Sequence, residues 1–147
     1  MECGKILLDA GADKDPKDKR DKSPMFWSIV NDNFEFGKLL LGHGVDINQR
    51  WKGFSLLHHE VKDGRNDAVR FMLESGADPD IRDNRVEEGS APLHGAARRD
   101  RLNAAKILIE FGADINAKTA SGKTPLDEVE RSKKQKVKQL LLDNGAQ

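Results

Sequence analysis

The sequence predicts an all-α fold, an α-solenoid in which antiparallel helix pairs stack side by side. Three observations carry this. A leucine-rich segment closed by glycine recurs: Ile6-Leu7-Leu8-Asp9-Ala10-Gly11, Leu39-Leu40-Leu41-Gly42-His43-Gly44, Phe71-Met72-Leu73-Glu74-Ser75-Gly76, Ile107-Leu108-Ile109-Glu110-Phe111-Gly112 and Leu140-Leu141-Leu142-Asp143-Asn144-Gly145. The closing glycines lie 33, 32, 36 and 33 residues apart, and a period of that size marks a repeat array. The composition agrees: 37% apolar and 34% charged residues fill a thick core poorly, but suffice where each unit buries apolar surface only against its neighbours. Disorder, the alternative for so polar a chain, gives no reason for leucine triplets to keep register with glycines.

Taken in order, residues 1–16 read as half a unit: a return helix, its Gly11 stop and a loop, with no helix before it to cover Ile6 and Leu7. Glycine just past a helix relieves left-handed backbone strain. The half unit suggests a chain cut from a longer array. Residues 17–50 form the first complete unit. The charged run Lys17-Asp18-Lys19-Arg20-Asp21-Lys22 is a solvated turn, and Ser23-Pro24 opens a helix over Met25 to Val30. Serine caps free N–H groups, and proline suits the first turn, where its missing N–H costs nothing. Asn31-Asp32-Asn33 breaks that helix, and Phe34 to Leu41 returns.

Residues 51–82 repeat the plan, with Trp51-Lys52-Gly53-Phe54 as the turn, Ser55-Leu56-Leu57-His58 as the helix start and Gly64 as the break. Residues 83–118 carry the longest step, and the surplus falls in the turn from Asp83 to Ser90. The next helix opens at Ala91-Pro92, where alanine supplies no capping oxygen, a loss of about 1 kcal/mol against serine or threonine. Residues 119–147 close the array: Thr124-Pro125 opens one helix, Lys136 to Asp143 is the other, and Lys133, Lys134, Lys136 and Lys138 give the pair the polar outer side a terminal unit needs.

The bulk properties narrow the function. Formal net charge is zero, which neither favours nor excludes nucleic acid. With one cysteine, Cys3, no intramolecular disulfide forms, which suits a reducing compartment. No apolar run approaches membrane-spanning length, and the start is not a signal peptide. The expectation is an intracellular protein, cytoplasmic or nuclear, without membrane insertion.

Ala91-Pro92-Leu93-His94-Gly95-Ala96 and Gly122-Lys123-Thr124-Pro125-Leu126 resemble the opening signature of ankyrin repeats, and Gly112-Ala113-Asp114-Ile115-Asn116-Ala117 resembles the loop that ends each one. The resemblance covers essentially the whole chain, as four complete units and half of a fifth. It implies helix pairs whose turns project as fingers at about a right angle. Fingers and inner helices then form a concave surface that generally binds other proteins, and members are not generally enzymes. Two departures stand out: Ser23-Pro24-Met25-Phe26 replaces Thr-Pro-Leu-His, and Glu60 stands where the family prefers alanine. A carboxylate there is costly to bury unpaired, so it must reach solvent or a cation, or the helix must shift.

Catalytic motifs do not survive inspection. His58-His59-Glu60 invites a metal reading, but the zincin pattern needs a second histidine where Asp63 stands, and His58 aligns with His94 at the structural histidine of the repeat. Ala117 to Thr124 loosely matches a phosphate-binding loop, but it follows a repeat-closing loop and Pro125 removes a needed N–H. Cys3 has no predictable basic neighbour and is expected to pack on its helix. No cofactor, metal or catalytic residue is assigned.

Charge placement is more informative. On positions the resemblance assigns to the concave side stand Lys19, Arg20, Lys22, Lys52, Lys62, Arg85, Arg98, Arg99, Lys123 and Arg131, against Asp63, Glu87 and Glu88, with Arg50 and Arg82 at finger bases. The compensating acids fall in closing loops and return helices. A basic face concentrates acidic ligands and speeds their encounter; the plainer reading is that these charges only solubilise helix ends. Trp51 and Phe54 share one finger, and tryptophan is an enriched interface anchor, unless both pack on neighbouring fingers. Trp27, on an inner helix, is expected in the core.

The expected function is a protein-interaction module binding an acidic or phosphorylated peptide or protein face, as a monomer. Trp51 and Phe54 would be apolar anchors, and Lys62, Arg85, Arg98, Arg99, Lys19, Arg20, Lys123 and Arg131 the charge partners. Two alternatives remain: a regulatory segment of a larger enzyme or channel, and a basic face for nucleic acid, which is less expected, or for a phosphorylated small ligand.

Overall fold

A computed structural model describes residues 2–84, 89–132 and 135–147, without the side chains of 2–4 and 131–132. The helices are α1 (Glu2–Asp9), α2 (Pro24–Val30), α3 (Phe34–Gly42), α4 (Leu56–Asp63), α5 (Asn66–Glu74), α6 (Pro92–Arg99), α7 (Leu102–Glu110), α8 (Pro125–Ser132) and α9 (Lys136–Asp143). They pair as α2 with α3, α4 with α5, α6 with α7 and α8 with α9. The inner helices stack α4 on α6 on α8, and the return helices α5 on α7 on α9. This is the predicted all-α solenoid.

Local sequence explains the ends. Ser23 accepts the Phe26 N–H at 3.0 Å, and Ser55 accepts the His58 N–H at 3.3 Å. Ala91 offers no such oxygen; instead the His94 ring turns back, its Nδ1 accepting the Ala91 N–H at 3.2 Å. The breaks inside the pairs are left-handed, at Asp32, Gly64 and Asp100. Asp100 is also useful: its carboxylate accepts the Val137 N–H at 3.1 Å and so holds the start of α9.

One finger tightens beyond the expected turn. Arg50–Trp51 (β1) and Phe54–Ser55 (β2) form a two-residue antiparallel hairpin, pairing Arg50 with Ser55 and Trp51 with Phe54. Lys52 and Gly53 close it at φ 52° and 82°. Two positive φ values in succession match the twist of hairpin strands, and glycine tolerates the second without strain.

The core is a thin seam, with Met25, Ile29, Leu57, Val61, Met72, Leu93, Leu108 and Leu141 buried between successive pairs. Backbone spacing in the seam follows side-chain size. Gly95, Ala96 and Ala97 let α6 lie close to α8 and α4, whereas the α2 and α4 backbones approach one another less closely. Phe26 on α2 and His59 on α4 meet across that wider gap, ring centres 6.3 Å apart. Phe34 and Phe71 bridge it on the return side as a stacked pair at 4.7 Å.

Glu60 is 2% exposed. Its charge is met from one side by Arg65, whose Nε lies 2.9 Å from Oε2 without the alignment of a hydrogen bond. Burial nevertheless dominates and pushes the carboxyl up to about 7; Arg65 pulls it down, while Asp63 and Asp32 push it further up. Arg65 also donates to the carbonyls of Val30 at 2.7 Å and Ile29 at 3.1 Å and to Asp32 at 2.6 Å, so it satisfies the end of α2. Of the outcomes open for Glu60, the structure shows a half-buried cation beside it, next to the wider gap between α2 and α4.

Neighbouring closing loops are tied by a ladder. The N–H groups of Asp78, Asp114 and Gln147 donate to Asn48, Asp80 and Asn116, each one unit earlier, at 2.9 to 3.0 Å.

Candidate functional site

The finger side is fixed by the two buried histidines. Ser55 Oγ donates to His58 Nδ1 at 2.8 Å, and His58 Nε2–H donates to the Ser90 carbonyl at 2.9 Å. His94 Nε2–H donates likewise to the Lys123 carbonyl at 3.0 Å. Each ring thus ties the start of an inner helix to the next finger. Burial lowers the pKa of both, because the charged ring loses water. His58 has both nitrogens engaged in this tie, which is the structural role its alignment implied.

Between the second and third fingers, a depression of about 250 Å³ runs along α4 and α6, lined by Phe54, His58, Lys62, Ser90, Gly95, Arg98 and Arg99. Phe54 stands half-buried at its finger end; Lys62, Arg98 and Arg99 are exposed at the other. Gly95 makes the room, since an ideal Cβ there would meet nothing within 4 Å. Lys62, Arg98 and Arg99 occupy the last turns of their helices, where the helix dipole favours cations. Their placement therefore serves folding as well as any ligand.

Four of the sequence-selected residues, Phe54, Lys62, Arg98 and Arg99, come together here. Lys19 and Arg20 are exposed one finger away, and Lys123 is half-buried on the fourth finger. Trp51 is half-buried, with its Nε1–H donated to the Arg20 carbonyl at 3.0 Å and its ring 5.0 Å from both Phe26 and His59. Arg85, Glu87, Glu88, Lys133 and Lys134 lie outside the described residues, as do the side chains of Cys3 and Arg131. Arg50 and Arg82, counted toward the basic face, spend their guanidinium groups on carbonyls: Arg50 on Arg82 at 2.6 Å, Arg82 on Lys118 at 2.8 Å and Gly89 at 3.1 Å. Glu110, on the return helix α7, is held by both terminal nitrogens of Arg70, at 3.1 and 2.9 Å.

Two features escaped the sequence reading. Trp27 is 36% exposed rather than core, because its place on α2 faces the first finger turn. There its Nε1–H donates to Asp18 at 3.1 Å. Glu128 is 3% exposed, its Oε2 lies 4.0 Å from Arg98 Nε and that oxygen accepts no hydrogen bond. It aligns with Gly95 and His59, two positions of different chemistry, so nothing in the repeat pattern marked it.

A wider hollow of about 350 Å³ lies at the opposite ends of the helices, lined by Gly64, Asn66, Asp100, Arg101 and their neighbours. Its polar groups are partly engaged: Arg101 donates to the Lys62 carbonyl at 3.0 Å, and Asp100 caps α9. No helix among the described residues is long and apolar enough to cross a membrane.

Comparison with known proteins accords with this architecture. A family model described as ankyrin repeats (3 copies) matches residues 1–83 and again 57–147. An ankyrin repeat protein of Rickettsia felis is 35% identical over 114 residues, covering 71% of this chain and 49% of its own length. The transient receptor potential cation channel subfamily A member 1 homolog of Caenorhabditis elegans is 35% identical over 133 residues, 88% of this chain and 11% of the channel. The serine/threonine-protein kinase VIK of Arabidopsis thaliana is 40% identical over 78 residues, 53% of this chain and 17% of the kinase. The chain spans about half the length of the first of these relatives and far less of the other two.

Proposed function

This chain belongs to the ankyrin-repeat family, whose repeats generally mediate protein–protein interaction, and on that premise we propose that it holds an acidic or phosphorylated protein segment against its finger side. The observation that carries the reading is the groove between α4 and α6, where Lys62, Arg98 and Arg99 stand exposed around one rim and Phe54 closes the other end. A segment laid there would place carboxylates or phosphates against arginines, which bind them in two-pronged fashion, and an apolar side chain against Phe54. Lys19, Arg20 and Lys123 extend the positive field that steers such a ligand, and Trp51 backs the second finger. The role is binding, not catalysis.

The test uses fluorescein-labelled hexaglutamate and a phosphoserine peptide, read by anisotropy. Wild type should bind both more weakly as salt rises, and R98E/R99E should lose at least about tenfold in affinity while keeping its helical circular dichroism, since two charge contacts are reversed. Unchanged binding by the double variant would refute the assignment.

A second reading is supported by the likeness to a channel and a kinase, of which this sequence matches a small part. In that reading the same surface restrains a domain of its own parent chain. Sequencing the parent transcript and finding no further domain would remove it.

A further inference from the structure

Lys22 makes an unusual contact. Its ammonium lies 4.4 Å from the Phe26 ring centre, 4.4 Å from Trp27 and 4.9 Å from Trp51. The rings meet as walls of a corner: Phe26 stands at 85° to Trp27 and 61° to Trp51, with centres 5.5 and 5.0 Å apart. A cation facing several ring faces at this distance is attracted by each quadrupole.

The walls are held in place independently of Lys22's ammonium. Both indole N–H groups are tied to the first finger turn, Trp27 to the Asp18 carboxylate at 3.1 Å and Trp51 to the Arg20 carbonyl at 3.0 Å. The other oxygen of Asp18 is fixed by the backbone N–H groups of Arg20 at 2.7 Å and Lys22 at 3.0 Å. Asp18 therefore braces one wall and places a negative charge beside the corner. Phe26 is buried at the base and Trp27 is exposed at the mouth, so the corner opens to solvent on one side.

We propose that Phe26, Trp27 and Trp51 form a receptor for a methylated lysine side chain of a partner protein, occupied in the free protein by Lys22. The occupant is argued from what already sits there: an ammonium on a four-carbon stem fits among these rings. Methylation favours the partner's side chain over Lys22, because an unmethylated ammonium is strongly hydrated, while methyl groups spread the charge and add contact with the ring faces. Lys22 then acts as a tethered competitor that weakens non-specific capture of cations. The corner is built from α2 and the second finger, braced by the first finger turn, outside the basic groove between α4 and α6, and stands on separate observations.

Intrinsic fluorescence reports on this corner, since the chain holds two tryptophans and no tyrosine, and both tryptophans are walls. The probes are a Gly/Ser peptide carrying one trimethyllysine, the same peptide with plain lysine, and tetramethylammonium chloride. The trimethylated peptide should alter the emission at lower concentration than the plain one. K22A should bind it about two- to thirtyfold tighter, the range one displaced cation–π contact spans, and W27A should bind it weaker by a similar factor. R98E/R99E should leave it unchanged, which separates this site from the basic groove. K22M, which keeps most of the stem, replaces K22A if circular dichroism shows that K22A does not fold. The proposal is overturned if both peptides act alike, if neither Lys22 variant binds the trimethylated peptide more tightly than wild type, or if tetramethylammonium alters the emission and the trimethylated peptide does not.

Discussion

Replacing Glu60 by glutamine tests the account of the inner seam. In the folded chain this carboxyl titrates at about 7, against 4.5 when unburied. Between those values the native state binds the extra proton, so stability falls as pH rises. The contribution is fully present below pH 4.5 and lost once pH passes about 7. The shift corresponds to about 3 kcal/mol of native-state cost for the ionised form at pH 8. Glutamine imitates the protonated acid, and Arg65 keeps its bonds to Ile29, Val30 and Asp32, so the substitution orphans no guanidinium. E60Q should therefore match wild type near pH 4.5 and exceed it by up to about 3 kcal/mol at pH 8. Urea unfolding followed by circular dichroism, at pH steps from 4.5 to 8, measures the difference. A difference that stays constant across the series would refute the reasoning.

The same experiment exposes the histidines. His58 and His94 are held below their ordinary pKa by burial, so their contribution is intact above about pH 6.5 and declines as pH falls below it. In wild type this opposes the Glu60 trend; in E60Q it is opposed only by the smaller contributions of His43, whose pKa the Leu39 carbonyl and Asp9 raise, and of Asp80, raised by burial, so acidification should cost E60Q more stability than it costs wild type. R65M should destabilise more at pH 8 than at pH 5, because ionised Glu60 loses its cation, and the same urea series reads it. G37A should cost about 1–3 kcal/mol, since a Cβ there would lie 2.8 Å from Ser28 Oγ and 3.0 Å from the Phe71 ring; a melting temperature equal to wild type would contradict it. E128Q should tighten hexaglutamate binding about two- to fivefold by releasing Arg98 from a competing carboxylate, the range expected of a partly exposed charge pair, and anisotropy would show it.

The sequence made the array legible because its signals are local. Ser23-Pro24, Ser55 and Thr124 mark helix starts through the chemistry of a single turn, and the glycine after each return helix marks its end. Phe54, Lys62, Arg98 and Arg99 could be selected because position within a repeat fixes which side a residue faces. What stayed hidden depends on contacts made across turns, at spacings that no helical or repeat period marks. The partner of Glu60 is Arg65, on the turn into the next helix, and no spacing rule pairs those positions. Trp27 reads as apolar and inner, yet the adjacent turn carries Asp18, which holds the indole at the surface. The corner around Lys22 had a partial trace, since Lys22 precedes Phe26 and Trp27 by four and five residues, but its third wall comes from the next finger.

The larger side chains between α2 and α4 make the stack uneven. Elsewhere small residues let consecutive pairs share backbone-close contact, while the α2–α3 pair meets the next through stacked phenyl rings, one guanidinium, an asparagine in the loop and the ring and N–H of Trp51. Pulled from its amino end, such a chain would part at that joint before any later one, leaving the remaining pairs standing as a shorter column.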